Sequence, residues 1–166
     1  GAGYPGVASM DILDNVVPYI AGEEPKVEIE AQKILGVMTE RGLEKADFPL
    51  SAMCFRVPVV DGHIVSVRVN LKNKGTLEEV VESMRSFPAL DLHSAPKQFM
   101  DVTDEPSRPQ TRLDRDNGNG MTITVGRVFP DNVFDYRFVA LSHNTIRGAA
   151  GCAILNAELL ISKGII

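Results

Sequence analysis

Residues 121–141 read MTITVGRVFPDNVFDYRFVAL. Two runs rich in β-branched and aromatic residues, Met121–Val128 and Val133–Leu141, are joined by the turn-forming residues Phe129-Pro130-Asp131-Asn132, and this pattern predicts an antiparallel hairpin. Elsewhere strands and helices follow one another without the strand–helix–strand alternation of a parallel fold. We therefore predict an α+β fold with a mixed, mostly antiparallel sheet and helices on one face.

A further strand ends the stretch 55–71, which reads FRVPVVDGHIVSVRVNL. Aliphatic and polar residues alternate through most of Ile64–Leu71, as expected of a strand. Ahead of it, Pro58 cannot donate a ladder hydrogen bond and Asp61-Gly62 is a turn signal. The chain is therefore predicted to bend between Arg56 and His63.

That bend matters for function. Residues seven apart on a straight strand point to opposite faces, whereas a bent path lets Arg56 and His63 turn toward one cleft. The arginine can hold a carboxylate through two parallel hydrogen bonds, and the histidine can exchange protons near neutral pH. The alternative is a solvent-facing arginine and a turn histidine beside a structural strand.

From Lys26 to about Met38 the apolar spacing predicts a helix with a buried face. Glu30 and Lys33 are three residues apart and are neighbours on that helix. A simple surface ion pair is the alternative to any role in binding.

Four other segments have local signals. The sequence Thr76-Leu77-Glu78-Glu79 is a capping box that opens a helix through about Phe87, and residues 98–102 form a short strand candidate. Residues 103–120 carry alternating charges and are predicted to form a long ordered loop or an interface arm outside the core. Thr145 to about Lys163 is predicted to be a helix that is apolar almost all round, and such a helix must be buried on several sides. Either the chain oligomerises through this helix or a second domain covers it.

Composition sets the outer bounds. The 166 residues suffice for one domain, 1–166, and the net charge of −5 without a basic run argues against nucleic acid as a partner. No apolar run approaches the roughly 18 residues of a membrane span. Cys54 and Cys152 have neither metal-binding nor redox spacing, so no metal site is predicted, and a reducing compartment, the cytoplasm, is expected. The opening Gly1–Gly6, without a methionine, indicates a piece of a longer chain.

Several motifs resemble one known family. They are Glu30-Ala31-Gln32-Lys33-Ile34-Leu35, Arg56-Val57 followed by His63, the opening Gly1–Gly6, Arg108–Asp114 and Ser142–Gly151. They occur along the chain in the family's order, and they resemble the C-terminal catalytic and dimerisation domain of aspartate-β-semialdehyde dehydrogenases, in particular the archaeal and fungal branch. The resemblance covers essentially the whole chain and implies a fold like the C-terminal domain of glyceraldehyde-3-phosphate dehydrogenase.

The resemblance also implies a reaction. Aspartyl-4-phosphate and NADPH give aspartate-4-semialdehyde, NADP and phosphate through a cysteine thioester, as part of lysine, threonine and methionine biosynthesis. His63 would be the general acid/base, Arg56 would hold the α-carboxylate, Glu30 the α-ammonium and Lys33 the phosphate. A small zwitterion that bears a phosphate needs one anion and two cations at fixed separations, which agrees with these residue types.

Cofactor contacts and missing parts follow from the same resemblance. Asn144, Thr145 and Gly1 would lie near NADP, while the dinucleotide-binding domain and the catalytic cysteine would precede this chain. The isolated chain is therefore expected to form at least a dimer and to lack dehydrogenase activity. His93 and His143 are predicted to be structural, and both cysteines to be unreactive. The alternatives are a non-catalytic assembly module of the same fold and, within the enzyme class, a reductase for another phosphorylated amino acid.

Overall fold

The structure, a computed structural model, describes residues 8–166 and groups them into two compact units. The first unit ends at Pro58, and the second comprises Val59–Ile166. The predicted loop at residues 1–7, which includes Gly1, lies outside the described residues. The expectation that residues 1–166 form a single domain remains a prediction.

The first unit contains two helices and a small antiparallel hairpin. Its elements in chain order are α1 (Ser9–Ile12), α2 (Glu23–Ile34), β1 (Val37–Thr39) and β2 (Gly42–Glu44). Strands β1 and β2 pair with Val37 opposite Glu44 and Thr39 opposite Gly42. Gly42 has a φ of 109°, a backbone conformation that favours glycine at this tight turn.

The prediction of one helix from Lys26 to Met38 was wrong at both ends. Helix α2 begins three residues earlier and ends at Ile34, and Met38 lies in β1. Just after the helix, β2 approaches the backbone of Gly36 so closely that a side chain there would collide with the carbonyl oxygen of Glu44. The chain enters β1 at Val37, whereas the apolar spacing alone would have continued the helix.

The predicted hairpin lies in the four-stranded sheet of the second unit. The strands are β3 (His63–Val69), β4 (Met100–Thr103), β5 (Ile123–Pro130) and β6 (Tyr136–Ser142), in the spatial order β3-β6-β5-β4. Strand β6 pairs antiparallel with both β3 and β5, and β4 pairs parallel with β5. The predicted mixed, mostly antiparallel sheet is therefore confirmed.

The second unit also contains the remaining helices. They are α3 (Leu77–Arg85), the four-residue α4 (Thr111–Asp114), a π-helical turn (Ile146–Ala150) and α5 (Gly151–Ser162). The capping box is confirmed, because the Thr76 hydroxyl accepts from the Glu79 N–H and the Glu79 carboxylate accepts from the Thr76 N–H. Helix α3 contacts β4 and β5.

The buried apolar residues within the described range all belong to the second unit. They are Val102, Met121, Val125, Tyr136, Leu141 and Leu155. Of these only Leu155 lies on α5, where Ile154 and Ile161 are 56% and 63% exposed. The expected burial of the terminal helix on several sides is therefore not provided by residues 8–166.

Residues 103–120 form a loop around the short helix α4, but one carboxylate in it belongs to the core. Asp114 is only 2% exposed and accepts hydrogen bonds from the Arg108 guanidinium and from the Gln110 N–H. The prediction that this segment lies outside the core was wrong at this point, because the carboxylate of Asp114 is buried and pairs with the partly exposed Arg108. None of the helices in the described part of the chain combines the length and apolar character needed to cross a bilayer.

Candidate functional site

Side chains on one face of α2 form hydrogen bonds with the backbone of the segment that leads to Arg56. The carboxylate of Glu24 accepts from the Cys54 N–H at 2.9 Å, and that of Glu28 accepts from the Ala52 N–H at 3.0 Å. Gln32 donates to the Phe48 carbonyl oxygen at 2.9 Å. These three side chains are spaced four residues apart, so they share one face of the helix.

Glu30 and Lys33 lie on another part of the same helix, and both are exposed. At about 100° per residue, Glu30 is rotated roughly 200° from Glu28, so it points away from the face that holds residues 48–54. Glu30 and Lys33 form no ion pair with each other within residues 8–166. The surface ion pair that was the alternative to a binding role is therefore not present in this part of the chain, and both charges are available to a ligand.

Arg56 is held by its backbone rather than by its side chain. Its N–H donates to the Val17 carbonyl oxygen at 2.9 Å, and its carbonyl oxygen accepts from the Val17 N–H at 3.1 Å. The half-buried guanidinium forms no ion pair with any carboxylate in the part of the chain that the structure describes. An arginine without an internal partner can receive a carboxylate from a ligand.

His63 begins strand β3 in the second unit, opposite Ser142 of β6, and is exposed. The bend before it is formed by Gly62, whose φ of 106° is a conformation that favours glycine. The predicted turn at Asp61-Gly62 is therefore confirmed. His63 lies where an ordered strand meets this turn, with its side chain accessible.

The bend is held from two sides. The Gly62 N–H donates to Asn144 Oδ1 at 2.9 Å, and Arg115 Nη1 approaches the Asp61 carbonyl oxygen at 3.4 Å. A side chain at Gly62 would contact Leu141 and Thr111 at 3.2 Å. The backbone around His63 is thus closely surrounded although its side chain is exposed.

Asn144 and Thr145 come just before the π-helical turn. Thr145 is exposed, and its N–H and hydroxyl lie 3.3 Å from His143 Nδ1. His143 is 6% exposed, and Nδ1 also faces the Ile146 N–H at 3.4 Å. These contacts place the buried ring against the start of the terminal helix, which agrees with a structural role for His143, and that role remains a prediction.

Neither cysteine forms a disulfide, and both are partly buried. Burial raises the pKa of the Cys54 thiol, and the nearby carboxylates Glu24 and Glu23 raise it further. A protonated thiol is a weak nucleophile. Within residues 8–166, no three His, Cys, Asp or Glu side chains come together in a way that could hold a metal ion.

The predicted site residues are thus divided between the two units. Glu30, Lys33 and Arg56 belong to the first, while His63 and Asn144 belong to the second. Their assembly into one cleft remains a prediction, as do their individual roles.

The sequence-based predictions did not include the binding of residues 48–54 by Glu24, Glu28 and Gln32. Their spacing of four residues does indicate that they share one face of a helix. The predictions also missed the bond between Asn144 and Gly62. Since these residues are 82 positions apart, no local pattern could have identified it.

The chain was compared with known proteins. A family described as semialdehyde dehydrogenase, dimerisation domain, matches residues 1–147. The chain therefore belongs to this family of semialdehyde dehydrogenase dimerisation domains.

Its relatives are aspartate-semialdehyde dehydrogenases. The chain is 52% identical to the enzyme of Archaeoglobus fulgidus, over 100% of this chain and 48% of the relative. It is 50% identical to the Schizosaccharomyces pombe enzyme, over 99% of this chain and 49% of the relative. The crystal structure of the Candida albicans enzyme with NADP matches with a TM-score of 0.88 and 46% identity, over 98% of this chain and 48% of that one.

The chain spans about half the length of the relatives that it matches, and it corresponds to their C-terminal half. The predicted resemblance to the archaeal and fungal branch is confirmed, since the relatives include both archaeal and fungal enzymes. The predicted fold is confirmed as well, because the solved neighbours share it.

Proposed function

We propose that this chain is the catalytic and dimerisation domain, residues 1–166, of an NADP-dependent aspartate-semialdehyde dehydrogenase. The observation that carries the proposal is identity of 46–52% to aspartate-semialdehyde dehydrogenases along at least 98% of this chain. In the direction of biosynthesis the substrates are aspartyl-4-phosphate and NADPH, and the products are aspartate-4-semialdehyde, NADP and phosphate. The aspartate-4-semialdehyde would then be used for lysine, threonine and methionine synthesis in the cytoplasm.

Four side chains of this chain act on the substrate in the proposed reaction. Arg56 holds the α-carboxylate, Glu30 receives the α-ammonium and Lys33 meets the phosphate. Their support is the exposure of Glu30 and Lys33 on α2, away from the side chains that bind residues 48–54, together with the guanidinium of Arg56, which has no ion-pair partner within the described residues. His63 takes the proton from the attacking thiol and later returns it to a leaving group.

Asn144, Thr145 and Gly1 are proposed to contact the cofactor. Asn144 uses Oδ1 for the Gly62 N–H, so its Nδ2 group remains a donor suited to a carboxamide oxygen of nicotinamide. When bound, NADPH supplies the hydride that reduces the acyl carbon. The residues of this chain orient the cofactor and the substrate so that the hydride reaches that carbon.

The thiol and the dinucleotide-binding domain are proposed to come from another part of the full-length protein. This agrees with the surroundings of Cys54, which keep its thiol protonated. The active protein is proposed to be at least a homodimer, as the name of the matching family suggests.

The proposal is tested with the purified full-length protein, in the direction of NADP reduction. We expect NADPH formation, followed at 340 nm, only when semialdehyde, phosphate and NADP are all present. His63→Asn should lower kcat by about 10²–10⁴-fold, the usual loss of a general acid/base, with a smaller change in KM. The 166-residue chain alone should form no NADPH.

Two outcomes would contradict this proposal. Activity that does not depend on phosphate would exclude the reductive dephosphorylation, and an unchanged kcat in His63→Asn would remove the histidine from the site. A different preferred phosphorylated amino acid in the same assay would point to the alternative reductase.

The second candidate is a non-catalytic assembly module, favoured by the exposed apolar residues of α5. A full-length protein that associates through this chain but forms no NADPH would support it.

A further inference from the structure

Asn144 lies at the end of the β3–β6 pair where His63 begins β3, and its side chain contacts the bend at Gly62. Its side chain accepts the N–H of Gly62, the residue directly before His63. Asn144 itself follows β6 by two residues, and the first rung of the β3–β6 ladder joins His63 to Ser142. The peptide that carries His63 is therefore held by a ladder rung on one side and by Asn144 on the other.

Gly62 needs such a bond because its conformation allows alternatives. A glycine with a φ of 106° has no side chain to restrict it, and glycine populates positive and negative φ about equally well. The peptide N–H ahead of His63 would lose its acceptor if the bend rotated. The hydrogen bond to Asn144 thus selects one orientation of the backbone from which the imidazole projects.

We propose that Asn144 is a positioning residue for His63: through its hydrogen bond to the Gly62 N–H it holds the bend in the conformation that directs the imidazole for proton transfer. This role is separate from any contact of Asn144 with the cofactor. The inference rests on the proposed function of His63 as general acid/base.

The test measures kcat and KM of the full-length enzyme in a double-mutant cycle of Asn144→Leu and His63→Asn. Leucine has nearly the shape of asparagine but lacks the acceptor. We expect Asn144→Leu to lower kcat about 10-fold or more when His63 is present and to change it less than 2-fold in the His63→Asn background, because residues that act as a unit are not additive. Asn144→Asp, which keeps an acceptor for the Gly62 N–H, should recover most of kcat.

Asn70→Leu is the matched control. The Asn70 side chain accepts the backbone N–H of Asp135 at 3.0 Å, near the opposite end of the same strand pair. Its loss removes the same type of hydrogen bond, far along β3 from His63, so kcat should stay within 2-fold of the parent enzyme. If Asn144→Leu does not fold, Asn144→Ala removes the same acceptor without adding apolar bulk and takes its place in the cycle.

Three results would overturn the inference. They are an unchanged kcat in Asn144→Leu, an equal loss in both backgrounds, and a rise confined to the KM for NADP, which would indicate cofactor binding only. The proposed function is judged separately, by the parent activity and by His63→Asn alone, so its failure is distinguishable from a failure of the positioning role.

Discussion

At the scale of single residues, the surroundings of Cys54 decide what its thiol can do. Burial raises its pKa, and Glu24 and Glu23 add to this effect. Attack on a phosphorylated acid requires a thiolate, which Cys54 does not readily form near neutral pH. In the proposed reaction this chain would contribute binding groups and a proton carrier, and the raised pKa makes Cys54 unsuited to be the nucleophile.

Asp114 contributes to stability through an ion pair between its buried carboxylate and the partly exposed Arg108. Hydrogen bonds from Arg108 lower the pKa of Asp114, and the Gln110 N–H lowers it further, although burial opposes both. Because the folded-state pKa lies below that of the unfolded chain, the stabilisation is complete above the unfolded pKa of about 4. It is lost as the pH falls through the folded-state value.

We expect Asp114→Asn to lower the free energy of unfolding by about 1.5–3 kcal/mol at pH 7, because the hydrogen bonds from Arg108 and Gln110 lose their charged acceptor. Urea denaturation of the two proteins at several pH values measures this. The difference should narrow below about pH 4, where the carboxyl of the parent protein becomes protonated.

Asp104→Asn is the control for this prediction. Its carboxylate also pairs with an arginine, Arg85, at 3.1 Å, but its side chain is 90% exposed. Exposed pairs contribute about 0–1 kcal/mol. Equal losses from the two substitutions would contradict the importance assigned to burial of Asp114.

At the scale of elements, α2 both presents charges and places the segment that carries Arg56. Glu24, Glu28 and Gln32 bind backbone groups of residues 48–54 on one side of the helix. Glu30 and Lys33 remain exposed elsewhere on it. A change on the face that carries Glu24, Glu28 and Gln32 should therefore affect the segment that leads to Arg56 without altering Glu30, Lys33 or Arg56.

Glu28→Ala tests this effect by hydrogen exchange of the full-length protein. The Ala52 N–H loses its charged acceptor, and such bonds contribute about 1.5–3 kcal/mol. We expect exchange at the Ala52 amide to become about 10- to 100-fold faster. Lys26→Ala, which removes only an exposed pair with Glu23 on the same helix, should leave that amide unchanged, and equal acceleration by both variants would argue against a specific link.

At the scale of the whole molecule, apolar side chains remain exposed on the terminal helix. Ile154 and Ile161 are more than half exposed on α5, and Leu160 is 38% exposed. Large exposed apolar patches mark contact surfaces. A second copy of this chain and another part of the longer protein are the two candidates to cover them.

We expect the isolated 166-residue chain to associate in a concentration-dependent manner. The double substitution Ile154→Ser and Ile161→Ser should shift it toward monomer in sedimentation velocity, because it removes much of the apolar area of the helix. Asn156→Ser, at an exposed polar position of α5, is the control. Unchanged sedimentation of the double variant would exclude self-association through α5 and favour coverage by the rest of the protein.

Local patterns in the sequence sufficed for much of the fold. The β5–β6 hairpin, strand β3, the capping box of α3 and the bend at Gly62 were all predicted, because each depends on residues a few positions apart. The sequence also contained the types of side chain that are proposed to bind the substrate, and its motifs indicated the family.

Only the tertiary structure decided the features that depend on distant pairs. Strand β2 approaches the backbone of Gly36, the buried Asp114 accepts hydrogen bonds from Arg108 and Gln110, and Asn144 binds Gly62 from 82 residues away. Each of these contacts arises when packing brings backbone groups within hydrogen-bond or van der Waals distance. Residue propensity and local spacing do not indicate which distant residues come into contact. For that reason the hydrogen bond between Asn144 and Gly62, next to His63, could be identified only in the folded chain.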